Sequence, residues 1–131
     1  MPEIAIRLDP ETLPHPTADL RYMLPDAIHA LAPELLRDDG YDYDPLNRML
    51  IFMSTPDLDA GLRVVLAALS EIEILGNRFA HATVAVADET HCTKHAMYRI
   101  VAPQPGGTLA ETGSTDRVYP PLPGRKVPKS P

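Results

Sequence analysis

"YDYDPLNRMLIFMSTPDLDAGLRVVLAAL", residues 41 to 69, changes pattern three times. Tyrosine first alternates with aspartate, the period of an extended strand whose successive side chains point to opposite faces. "DPLN" then carries turn residues, and "RMLIFMS" is nearly all apolar, so the stretch reads as a hairpin feeding a central strand. Thr55 as N-cap, Pro56 at the first helical position and Asp57 and Asp59 in the first turn mark a helix start, matching the orphan amides and the positive end of the dipole. Leu58, Leu62, Val65, Leu69 and Ile72 recur three or four apart and supply its buried face. Gly76 and Asn77 end the helix.

Outward from this stretch, "EIAIRLD" alternates Ile4, Ile6 and Leu8 with Ala5 and Arg7, the pattern of a first, half-buried strand. After the breaker-rich "PETLPHPT", Thr17 is placed to cap a helix whose stripe is Leu20, Leu24, Ile28, Leu31 and Leu35. Pro25 and Pro33 interrupt it, which predicts a kink or two to three short pieces. Downstream, "FAHATVAVAD" places Val84 and Val86 on one face of a strand and Ala85 and Ala87 on the other, and "AMYRIVA" offers a fifth strand. The resulting order, β-α-β-β-α-β with that extra strand, is the string of a ferredoxin-like α+β fold with two helices packed on an antiparallel sheet, and equally that of a doubled βαβ unit. One domain is expected over residues 1 to 102. Residues 103 to 131 hold 7 of the 15 prolines and 4 of the 7 glycines with few large apolar residues, the composition of a flexible tail.

The 131-residue chain is 44% apolar, enough for one core. A single cysteine, Cys92, excludes an internal disulfide and suits a reducing compartment. The apolar runs are far shorter than the roughly 18 to 20 residues of a membrane span, and no signal-peptide pattern opens the sequence, so a cytoplasmic protein is expected. Residues 1 to 100 carry net charge −8 and residues 101 to 131 carry +2. An acidic body without a Lys/Arg stripe disfavours nucleic acid and favours a basic protein partner. A homodimer stays open.

Several clusters hold residue types that can carry chemistry. Asp38, Asp39, Asp42 and Asp44 lack the order of a calcium loop, in which a bidentate glutamate closes the twelfth position; here that position is Met49. The alternation puts Asp42 and Asp44 on one side of the hairpin and Tyr41 and Tyr43 on the other. "HCTKH" brings His91, Cys92 and His95 together, residue types that bind zinc or pair a thiol with a base, although the segment reads as a polar loop. No cofactor or metal is expected. In the tail, Pro120, Pro123 and Arg125 fit a P-x-x-P-x-R ligand pattern. At the start, Pro2 becomes a secondary amine if Met1 is removed, and a proline amine of lowered pKa is a competent general base. This resembles the tautomerase superfamily, which uses an amino-terminal proline beside cationic residues on two βαβ units; Arg7 would be the substrate-binding cation.

Residues 41 to 69 also resemble a segment of immunity proteins from bacterial polymorphic toxin systems, the immunity 51 family in particular. Tyr43, Asp44, Pro45, Met49, Ser54, Leu62 and Leu66 carry the likeness. It implies a cytoplasmic, non-enzymatic antidote that binds and occludes one cognate toxin or effector. Residues 34 to 59 hold seven acidic and two basic residues, which places the contact on Asp38, Asp39, Tyr41, Asp42, Tyr43 and Asp44. The tautomerase-like enzyme with Pro2 and Arg7 is the alternative.

Overall fold

Strand β1 (Glu3–Leu8) is the middle strand of a five-stranded sheet, and its alternation of side chains sorts the molecule into two layers. The structure, a computed structural model, describes residues 1 to 90 and 94 to 111. After β1 come α1 (Leu20–Leu31), β2 (Arg37–Tyr43), β3 (Met49–Ser54), α2 (Leu58–Glu71), a small hairpin of β4 (Glu73–Ile74) and β5 (Asn77–Arg78), β6 (Thr83–Ala87) and β7 (Arg99–Ala102). The sheet runs β2-β3-β1-β6-β7, and every neighbouring pair is antiparallel. The chain is thus an α+β protein, two helices packed on an antiparallel sheet.

Ile4, Ile6 and Leu8 stand opposite Met53, Ile51 and Met49 of β3, and Ile4 and Ile6 stand opposite Val86 and Val84 of β6. This row meets Leu20, Leu24 and Ile28 of α1 and Val65 and Leu69 of α2 in the larger core. The other parity makes a thinner layer. Ala5, Leu50, Phe52, Ala85 and Ala87 are covered by Tyr98 and Leu109, which come from the chain around β7 and not from α1 or α2. The Tyr98 ring lies 5.4 Å from that of Phe52, and its hydroxyl donates at 2.7 Å to the buried carboxylate of Glu3. The packed chain therefore runs past the boundary expected at residue 102, because Leu109 is needed to close this second layer.

Local chemistry shifts several expected boundaries. α1 is one helix, in place of the expected pieces: Pro25 sits inside it, while Pro33 lies beyond its end. Burial of Leu20, Leu24 and Ile28, at about 1.5–3 kcal/mol each, outweighs a proline cost of about 3 kcal/mol. Thr17 accepts from the Asp19 amide ahead of the helix. Leu31, expected in the stripe, is exposed, and Leu36 is the buried residue after the helix. α2 is capped by Asp57, whose carboxylate accepts from the Ala60 amide at 3.1 Å, two residues later than expected. Thr55 instead is buried against Gly61, where a Cβ would lie 2.7 Å from its hydroxyl, so only glycine admits this approach of helix to strand end.

Candidate functional site

The hairpin β2-β3 forms one edge of the sheet, and β2 is exposed along nearly its whole length. Its register with β3 decides which way each side chain points. Tyr41 and Tyr43 stand opposite Ile51 and Met49, on the helix side; Asp42 stands opposite Leu50, on the far side. Between Asp38 and Tyr41 the register shifts through a bulge, with Gly40 at φ +96° and its amide donating to Asp38 at 3.0 Å. A positive φ here suits glycine, and the extra residue turns Asp38 and Asp39 outward as exposed side chains.

On the helix side, α1 contributes two residues that complete a surface cluster. Tyr22 meets Tyr41 edge to face with ring centroids 6.0 Å apart, and Tyr41 meets Tyr43 likewise at 6.1 Å. The Arg21 guanidinium lies 4.5 Å from the Tyr22 ring centre and 5.1 Å from that of Tyr41. Hydrogen bonding to Arg21, and next to Tyr41, lowers the Tyr22 phenol below its ordinary pKa, and the same contact raises that of Arg21. These aromatic pairs are worth about 0.5–1.5 kcal/mol each and hold the rings in place. Yet Tyr22, Tyr41 and Tyr43 remain 49%, 43% and 39% exposed. Beside Tyr43 opens a cavity of about 290 Å³ whose walls include Leu8, Pro10, Leu13, Leu20 and Met49. Its outer wall is the loop 10–16, tied down by Asn77, whose side chain bonds the His15 amide and carbonyl at 2.9 Å each.

The aspartates of the hairpin separate into three environments. Asp44 is buried in the turn: its carboxylate accepts from the Leu46 and Arg48 amides at 2.9 Å and from Arg48 Nε at 2.7 Å. It is a turn-building residue, and the expectation that it shares an open face with Asp42 fails because the strand ends at Tyr43 and the chain folds over it. Asp42 is half-buried and meets His95 Nε2 at 3.1 Å. Asp38 and Asp39 alone of the four are exposed. The surface around the tyrosines therefore has an aromatic centre and acids at its rim, Asp38 and Asp39 from the bulge and Asp19 from the start of α1.

The other sequence candidates lie apart. Pro2 precedes β1 and Arg7 stands near its other end, five positions on and about 16 Å away in extended chain, so the strand holds the two apart. Arg7 instead donates to Thr83 Oγ1 at 3.2 Å, and burial first, then repulsion from Arg48, lowers its pKa to about 10. His91 and Cys92 lie outside the described residues, as do Pro120, Pro123 and Arg125; His95 is engaged with Asp42. Among the described residues no three His, Cys, Asp or Glu side chains converge as metal ligands, and no helix is long and apolar enough to cross a membrane.

Sequence reading missed Arg21 and Tyr22. The available signal was that Tyr22 and Met23 are large side chains lying off the Leu20, Leu24, Ile28 stripe, hence outward-facing. No protein-family model, curated protein or solved structure matches the chain.

Proposed function

We propose that the chain is a non-enzymatic inhibitor of the immunity type, which binds a basic protein partner, a bacterial toxin or effector acting in the same cytoplasm, through the face formed by α1 and the hairpin. The observation that carries this reading is the exposed Tyr22–Tyr41–Tyr43 cluster under Arg21, set beside an apolar cavity. Tyrosine and arginine are the residue types that most often anchor protein interfaces, since each presents a large rigid surface with a polar end. The rings are already held by one another and by Arg21, which reduces the entropy lost when a partner covers them.

Charge selects the partner. The chain carries net charge −6, and the exposed acids Asp19, Asp38 and Asp39 belong to the same two elements as an aromatic centre on which Arg21 is stacked, with Arg37 the exposed cation beside Asp38. Such a rim raises the encounter rate with a cationic surface and rejects acidic ones. In the same reading the sheet is ferredoxin-like with β7 added beside β6: β1 between β3 and β6, β2 outermost, and both helices on one face support it. That scaffold leaves β2 as the edge available to a partner.

The test is capture on the immobilised chain, identification of the captured protein, and titration of that purified protein against wild type and the double variant Asp38→Lys, Asp39→Lys. The proposal expects a cationic protein whose activity is blocked by the chain and whose association slows about tenfold with the variant or with added salt. A captured protein whose activity is unchanged by saturating chain would end the inhibitor reading.

A further inference from the structure

A second cavity, of about 250 Å³, adjoins the first, sharing Leu8 and Leu13 with it, and its character is opposite. Arg7 of β1, Arg48 of the hairpin, Arg78 of β5 and His81 of the β5–β6 connection all line it. The described residues hold eight Lys and Arg against seventeen Asp and Glu, so three of those eight meeting in one cleft runs against the composition of the chain. Burial first, then repulsion from Arg48, lowers the Arg7 pKa to about 10, with Asp44 and Asp9 opposing that shift without cancelling it.

The carboxylates nearby leave this charge partly unmet. Asp44 holds Arg48, and Glu73 reaches Arg78 at 3.5 Å in an exposed pair of little strength. Asp9, the one acid among the lining residues, accepts from the Glu11 amide with one oxygen. Arg7 has no carboxylate within ion-pair distance among the described residues, its Nη2 is given to Thr83, and its Nη1 is buried without an acceptor. The remaining walls are Leu8, Leu13, Phe79 and Ala82, with the hydroxyls of Thr12 and Thr83. A concave site with an apolar wall and a few convergent donors is the form small-ligand sites take, and arginines match the planar or tetrahedral oxygens of carboxylate and phosphate.

We propose that this cleft binds a small organic oxyanion, its carboxylate or phosphate held by Arg7, Arg48 and Arg78 and its apolar body against Leu13 and Phe79. Pro2 takes no part, being at the far end of β1. The cleft is distinct from the docking face in that none of Tyr22, Tyr41 and Tyr43 is among its walls.

The experiment is an amide chemical-shift titration of the full chain with phenyl phosphate, benzoate and inorganic phosphate at matched ionic strength. Saturable shifts at Arg7, Thr12 and Thr83 are expected with phenyl phosphate or benzoate, weaker with inorganic phosphate, which lacks the apolar body. Response to phenyl phosphate alone assigns a phosphate ligand, to benzoate alone a carboxylate, and to both a general oxyanion site. Arg7→Met is expected to weaken binding by about tenfold or more. Arg78→Ala, at a side chain 72% exposed, tests the same site without risk to the fold. Arg99→Ala, on β7 and exposed, should leave it unchanged. Shifts that do not saturate, or that persist in both Arg7→Met and Arg78→Ala, overturn the proposal.

Discussion

The two ends of the β2-β3 hairpin carry the same residue type and use it in opposite ways. At the turn, Asp44 is buried, and its carboxylate accepts from the amides of Leu46 and Arg48 and from the Arg48 side chain. At the bulge, Asp39 faces water and Asp38 only receives the Gly40 amide. Asp44 stands six positions after Asp38, and the difference between them is the ladder: a bulge pushes side chains out, a turn folds chain over them. An acidic run is therefore not an acidic surface until the register of its strand is known.

The largest expected effect is at the turn. Asp44→Ala leaves Arg48, whose side chain is only 13% exposed, without this carboxylate, and should lower unfolding free energy in urea by about 3–5 kcal/mol. A loss below about 1 kcal/mol would erase the contrast between the two ends. Asp42→Ala, which removes a half-exposed partner from His95, should cost about 1 kcal/mol or less in the same measurement. Asp39→Ala should change stability by no more than about 0.5 kcal/mol, so any loss of partner binding there reports contact and not folding. The smallest effect is spectroscopic. Arg21→Ala removes the main cause of the lowered Tyr22 pKa, so the Tyr22 ring should titrate at higher pH than in wild type when followed by NMR; an unmoved titration would show that Arg21 does not hold the cluster.

The larger core was legible in the sequence because it obeys two simple periods. Ile4, Ile6 and Leu8 at period two, and Leu20, Leu24 and Ile28 at helical spacing, meet as those patterns require. The thinner layer was not legible. Its cover is Tyr98, just before β7, and Leu109, in a short 3-10 turn, and neither lies in a long periodic run that would have shown it to be buried. The Pro and Gly content after residue 102 pointed to loose chain, yet Leu109 is buried because Phe52 and Leu50 would otherwise face water. The site was legible in half. Tyr41 and Tyr43 follow from strand alternation, whereas their meeting with Tyr22 and Arg21 depends on how α1 lies across the sheet, which local spacing does not encode.

The central claim is that a partner docks on the tyrosine cluster. It is tested most directly by the affinity of the purified captured protein for wild type and for Tyr41→Ala, with Arg63→Ala on the exposed side of α2 as the control. Tyr41 touches both other rings, so its truncation should raise Kd about 30-fold or more, a loss of about 2 kcal/mol, while the control and the melting temperature stay within error of wild type. Equal affinity for wild type and Tyr41→Ala would contradict the account.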